Sequence, residues 1–296
     1  MSQPTLENLE IFTGQTTPTE SRVYARLASD ELPDGCTLDG WIYGPSCEYA
    51  RTLPAKISLH DLGDGDGLLA EAVVPDPCCW TPRLPYLYEV TVRLQRGDEI
   101  LAEVQRSFGI RTLGARGSDL LLEGKRFVVR GGGGWWNSGA KQSADESLSS
   151  WHDSTLAMLV DSPSDELCRQ ADSTGVLLIT RSSNEVQRLG RFASVGIVIL
   201  DDEAASGESI GKSRSGVLLA QQIHGGGPFS VKAWADVIVC DLSHVRVEDI
   251  DLTNVHCPVL AYREDDSHPS AEDARAACDK LQRDLAPVGQ FAGYLV

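Results

Sequence analysis

The chain has 296 residues, with 43 acidic against 26 basic side chains, a formal net charge of −17 and a hydrophobic fraction of 42%. That length supplies two domains with separate cores, while the negative charge, with no basic run to offset it, sets aside nucleic acid and anionic membranes as partners. No window approaches the ~20 apolar residues of a transmembrane span, and Met1 to Glu7 has neither region of a signal peptide, so a cytoplasmic protein is expected.

Residues 1–115 read as all-β. Alternating runs at 22–27, 38–43, 55–59 and 87–94 are separated by turn clusters such as Asp61–Gly67 and Arg96-Gly97-Asp98. Period-2 runs with Gly, Asp and Pro between them predict a β-sandwich. The acidic cluster at 61–67 lacks the final glutamate of an EF-hand loop, so a hairpin turn is expected there.

From residue 120 the rhythm changes. Apolar runs recur at 127–130, 156–160, 176–180, 196–200, 217–220, 237–240, 259–262 and 291–295. Continuous apolar runs predict parallel strands buried on both faces. Ser270 to Leu285 predicts a helix, with Ser270 as cap, Glu272 and Asp273 in the first turn and Pro287 beyond its end. Asn184-Glu185 predicts another helix start, capped by Ser182 or Ser183. Eight such units predict a (β/α)8 TIM-type barrel, small at about 175 residues against the ~200-residue lower end for the fold. Its last helix would be absent, leaving strands seven to one to be covered by a partner such as a second copy of the chain.

The eight cysteines are scattered, apart from Cys78-Cys79, and form no C-x-x-C pair, so reduced thiols are expected. The six histidines show no H-x-x-x-H spacing, and no metal site is expected. His224-Gly225-Gly226-Gly227-Pro228 reads as a backbone nest for an anion or as a plain linker. It lacks G-K-[ST], and no nucleotide or other cofactor is implied.

Three segments stand in order: Trp80-Thr81-Pro82-Arg83-Leu84-Pro85-Tyr86-Leu87-Tyr88, Phe108-Gly109-Ile110-Arg111 and Leu122-Glu123-Gly124-Lys125-Arg126-Phe127. The series resembles glycoside hydrolase family 2, which contains β-galactosidases, β-glucuronidases and β-mannosidases. The resemblance implies an immunoglobulin-like β-sandwich at 1–115 and a reduced glycosidase-type barrel at 116–296. Pro163 to Leu178 is similar to the family's second barrel helix and third strand. The family's N-terminal jelly-roll domain has no counterpart in the sequence.

The resemblance also places the chemistry. Retaining glycosidases use two carboxyl groups about 5 Å apart, one as acid/base and one as nucleophile. Ser194 to Glu203 resembles the family's acid/base segment and puts Glu203 on that position, with Val198 replacing its Trp and Asp201-Asp202 its Gly-Asn pair. The nucleophile position, five residues after Pro258, holds Arg263, a cation that would oppose charge developing on the anomeric carbon. Glu264 follows, on the opposite face of a regular strand, and reaches the pocket only through a bulge or shift. On strand two, Met158 and Asp161 stand where the family has Arg and His. After strand one, Arg130 to Asn137 resembles the R-G-x-N segment. There Trp135 and Trp136 could stack on a sugar or pack under their own loop, and Asn137, Asp161 and Asp202 complete the candidate binding set.

Three readings stand. The first is a diverged member with an eroded centre, non-catalytic or weakly active, keeping carbohydrate affinity or an interaction role. The second is an active retaining β-glycosidase with Glu203 as acid/base and Glu264 as nucleophile. The third is unrelated chemistry on Asp161, Asp201, Asp202 and Glu203.

Overall fold

The structure, a computed structural model, describes residues 6–28, 35–65, 67–137, 148–182, 185–200, 216–264 and 270–296. The chain divides into two compact units, residues 1–80 with 84–111 and residues 81–83 with 112–296.

The first unit holds β1 (Leu9–Thr16), β2 (Glu20–Leu27), β3 (Cys36–Ser46), β4 (Ala55–Gly65), β5 (Gly67–Pro75), β6 (Leu87–Arg96) and β7 (Glu99–Phe108). Their order is β1-β2-β5-β4-β3-β6-β7, antiparallel throughout. The sheet curls at β4, which pairs with β5 on one side and β3 on the other and shifts register between Asp61 and Asp64. Divided there, β1-β2-β5-β4 and β3-β6-β7 are the two layers of a constant-type immunoglobulin sandwich. Inward residues alternate as the sequence predicts: Val23, Ala25 and Leu27 on β2, and Val90, Val92 and Leu94 on β6, are all buried. Gly65 pairs with Gly67, so the acidic cluster is the expected hairpin.

The W-x-P-x-x-P-x-L-Y segment has a structural reason within this unit. Trp80 is fully buried, and its amide donates to Ile110 O at 2.6 Å. Tyr88, near the start of β6, accepts from Cys78 N at 2.9 Å and donates to Cys78 O at 3.3 Å. This is the tyrosine corner of immunoglobulin-like sandwiches. Gly40 is required where β3 crosses closest to β6, since a Cβ there would lie 1.9 Å from Thr91 O at a φ of +149°.

The second unit opens with a small antiparallel sheet of β8 (Leu113–Arg116), β9 (Asp119–Leu122) and β10 (Lys125–Arg126). A closed barrel follows: β11 (Val129–Asn137), β12 (Ala157–Asp161), β13 (Leu178–Arg181), β14 (Val195–Leu200), β15 (Leu218–His224), β16 (Val237–Asp241), β17 (Val259–Tyr262) and β18 (Gly293–Leu295). Every neighbouring pair is parallel. Each apolar run of the sequence became one strand. The first is longer than expected, because the glycine-rich segment assigned to the following loop continues the strand, with a register shift between Gly132 and Trp136.

Among the described residues the helices are α1 (Leu148–Asp153), α2 (Asp165–Thr174), α3 (Val186–Leu189) and α4 (Ala271–Leu285). Ser164 caps α2 by accepting from Leu167 N, and Ser270 caps α4 by accepting from Asp273 N. Ser182 accepts from Glu185 N just ahead of α3, the helix start read from Asn184-Glu185. The regular βα alternation fails later. Residues 225–236 contain no helix, and residues 242–258 contain one 3-10 turn at Val247–Asp249. Three glycines and a proline after β15 disfavour helix there.

α4 packs on β11 and β18. Arg130 Nε bonds Asp279 Oδ1 at 3.0 Å, and Cys278 Sγ lies 3.3 Å from both Gly131 O and Tyr294 O, which share its single proton. A Cβ on Gly132 would sit 2.8 Å from that of Ala274, so the helix lies directly on the strand backbone. The surface over strands eight and one, expected to await a partner, is therefore covered by the chain's own helix. None of the eight cysteines, all of them among the described residues, is in a disulfide.

Barrel residues sort by parity into two buried layers. Met158, Val160, Leu178, Val198, Ile238, Cys240 and Ala261 share an apolar cluster with Cys168 and Ala171 of α2 and Ala274 and Cys278 of α4. The opposite parity, including Leu159, Ile179, Ile197, Ile199, Val237, Val239, Leu260 and Leu295, fills the barrel interior and is fully or almost fully buried.

Candidate functional site at the carboxyl end of the barrel

Sites on this fold are built at the carboxyl ends of the strands. Following interior parity upward leads to Asp161 on β12, Arg181 on β13, His224 on β15, Asp241 on β16 and Tyr262 on β17. Strand pairing sets two of these groups side by side: Asp161 opposite Arg181, and His224 opposite Asp241, which in turn lies opposite Tyr262.

Arg181 Nη1 lies 4.0 Å from Asp161 Oδ1, and both side chains are about one-third exposed. Asp161 Oδ1 is buried without a hydrogen-bond partner among the described residues. Burial pushes the Asp161 carboxyl above the usual carboxylate range, and the Arg181 charge only partly opposes this. Such a group gains from a donor brought by a ligand. Met158, by contrast, is buried in the layer facing the helices.

Across the mouth, His224 Nδ1 is 3.0 Å from Asp241 Oδ2. Asp241 Oδ1 accepts from Ser243 N at 3.0 Å and Ser243 Oγ at 2.6 Å. Ser243 Oγ in turn accepts from Glu264 N at 2.9 Å. Burial alone would raise the Asp241 carboxyl. The hydroxyl and amide of Ser243, and then the charge and hydrogen bond of His224, hold it below the usual range. Sequence spacing does not reveal this network, because its members meet laterally across parallel strands.

The candidate nucleophile region is well defined. Leu242 N donates to Tyr262 O and Arg263 N donates to Leu295 O, the bonds of the two pairs that end the ladder at Tyr262. Arg263 Nη1 lies 3.6 Å from Asp284 Oδ2 on α4. Its cation faces the helix layer rather than the lumen, which corrects the expectation that it stands against the anomeric carbon. Continued past the end of β17 at Tyr262, interior parity would fall on Glu264. Glu264 is exposed.

The other sequence candidates are less fully placed. Glu203, Asp202 and Asp201 lie outside the described residues. Trp135, Trp136 and Asn137 end β11, with Trp136 paired to Val160 and Asn137 to Asp161, which brings their backbone to the mouth. Among the described residues no group of three His, Cys, Asp or Glu side chains could hold a metal ion, and no helix is long and apolar enough to cross a membrane.

Residues 50–111 match the model of glycosyl hydrolases family 2. A β-galactosidase of Oenococcus oeni is 33% identical over 64 residues, which are 21% of this chain and 6% of that protein. Among solved structures, a β-glucuronidase of Ruminococcus gnavus matches with a TM-score of 0.70 at 13% identity, covering 98% of this chain and 61% of that one. A β-glucuronidase of Parabacteroides merdae matches with a TM-score of 0.64 at 13% identity, over 98% and 47%. A family 2 member from Bacteroides cellulosilyticus matches with a TM-score of 0.64 at 16% identity, over 97% and 44%. This chain thus spans about half the length of these structures and a small part of the curated relative. Identities this low carry the fold alone.

Proposed function

We propose, from a chain that is glycoside hydrolase family 2-like in its sandwich sequence and in the fold of its units, that the barrel mouth binds carbohydrate without efficient hydrolysis. The reading is carried by position 263. The residue five places after Pro258, where the family has its nucleophilic glutamate, is an arginine engaged by Asp284 on the outer helix. A retaining mechanism needs a lumen-facing carboxylate to form the glycosyl-enzyme bond, and position 263 supplies neither the carboxylate nor the facing. The replacement of the family's strand-two arginine by Met158 and of its histidine by Asp161 points the same way, since the family's arginine orients the nucleophile. What remains is a mouth rich in hydrogen-bonding groups, with Asp161, Arg181, His224 and Asp241 described and Trp135, Trp136, Asn137 and Asp202 proposed to join them.

One observation favours a second reading. Glu264 follows Arg263 on interior parity, with its amide tied into the mouth by Ser243. If the nucleophile moved by one residue, Glu264 with Glu203 as acid/base would form the retaining pair. The two readings separate on a panel of nitrophenyl β-glycosides combined with titration calorimetry against methyl β-D-galactoside and methyl β-D-glucuronide. Binding without turnover supports the first. Turnover abolished by Glu264→Gln supports the second. Neither binding nor turnover refutes both.

A further inference from the structure

The mouth contains an imidazole oriented by the protein to which neither reading gives a specific role. His224 ends β15, and its side chain is 76% exposed, whereas the Asp241 side chain it contacts is only 17% exposed. Asp241 is doubly fixed through Oδ1 by Ser243, and Ser243 is fixed in turn by the Glu264 amide. The carboxylate therefore cannot rotate away without breaking contacts to the segments after β16 and β17. An ionised carboxylate only accepts, so Nδ1 of His224 carries the proton and donates it. In a neutral ring this leaves an acceptor lone pair on Nε2. Among the described residues nothing is recorded within hydrogen-bond distance of that nitrogen.

A histidine that served only to satisfy Asp241 would gain little by being three-quarters exposed, because Ser243 already supplies two donors to that carboxylate. A fixed tautomer, interior parity and an open acceptor are together the features of a group that reads a donor on a ligand. We propose that His224 is a ligand-binding residue of the barrel mouth, with Nε2 accepting a hydrogen bond from a hydroxyl of a carbohydrate, and that Asp241 and Ser243 are its positioning residues. The assignment rests on the carbohydrate-binding reading and adds to it a subsite on the β15–β17 side, opposite the Asp161–Arg181 pair.

The test uses the full chain at about pH 8, where an ordinary imidazole is neutral. Long-range proton–nitrogen correlation spectra of His224 give its tautomer, and calorimetry with methyl β-D-galactoside and methyl β-D-glucuronide gives affinity. The expected results are an Nδ1–H tautomer in the wild type, mixed tautomers in Asp241→Asn, and an Nε2 resonance that moves when sugar is added. His224→Ala should weaken binding about tenfold, the worth of one hydrogen bond of ~1.4 kcal/mol. Its melting temperature should not change, because the side chain is exposed. Sugar binding that leaves the Nε2 resonance still, with His224→Ala within twofold of wild type, overturns this assignment and leaves the carbohydrate reading intact. Absence of binding by both sugars at millimolar concentration overturns the two together.

Discussion

Arg263 is held by Asp284, with 3.6 Å between Nη1 and Oδ2, and this contact turns the residue at the family's nucleophile position toward helix α4. A carboxylate introduced at 263 would meet Asp284 rather than a substrate. Arg263→Glu is therefore expected to create no glycosidase activity and to lower stability by about 0.5–1 kcal/mol, given the partial exposure of both side chains. Urea denaturation and a nitrophenyl glycoside assay measure the two effects. A gain of turnover would show that position 263 can face the lumen.

The tyrosine corner of the sandwich gives a second expectation. Tyr88 is 1% exposed and its hydroxyl serves both backbone groups of Cys78. Tyr88→Phe leaves these groups to find other partners and should destabilise the first unit by about 1–3 kcal/mol. Burial also raises the Tyr88 phenol above its ordinary range. A folded-state value above the unfolded one means that the stabilisation is complete below about pH 10 and is lost as pH rises further. Alkaline unfolding followed by tyrosine absorbance should show ionisation only as this unit opens.

The barrel has its own alkaline limit. Burial pushes the Cys168 and Cys240 thiols up to about 12 and Cys278 up to about 11, the last against the opposing Gly131 hydrogen bond. All three lie above the ordinary thiol value. Their contribution is therefore intact below about pH 8.5 and falls above it, each thiol adding up to about 1.4 kcal/mol per pH unit to the slope. Cys278→Ala should give a shallower decline between about pH 9 and 11 than the wild type. An unchanged slope would contradict the burial of this thiol against α4 and β11.

How much of this was legible in the sequence depends on how each feature is encoded. Parallel strands buried on both faces appear as continuous apolar runs, and α4 carries its own cap and charge signals, so the barrel could be read directly. In the sandwich, β1, β5 and β7 are not among the runs read from the sequence; in β7, Glu99–Phe108, a partly exposed strand at one end of the sheet, polar residues interrupt the alternation. The facing of Arg263 and Glu264 needed the β17–β18 ladder, since linear spacing from Pro258 does not say where a strand's regular pairing ends. His224 and Asp241 are 17 residues apart and meet only because β15 and β16 are neighbours. A search for closely spaced ligand pairs cannot find such a contact.

Asp161 would serve the proposed site at some expense to stability. Its buried Oδ1 lacks a hydrogen-bond partner among the described residues, and its carboxyl is raised by burial. Asp161→Asn should therefore leave melting at neutral pH unchanged or higher while weakening sugar binding severalfold, the trade-off common at functional positions. A lower melting temperature with unchanged affinity would mark Asp161 as a structural partner of Arg181.

The central claim is that the barrel binds carbohydrate but has lost its hydrolytic pair, and the release of nitrophenol from nitrophenyl β-D-galactoside and β-D-glucuronide by the full chain tests it most directly. The account predicts a rate at the uncatalysed background, unchanged in Glu203→Gln and Glu264→Gln. Robust release, lost in both of those variants and retained in Arg263→Lys, would contradict it and establish a retaining glycosidase with its nucleophile displaced by one residue.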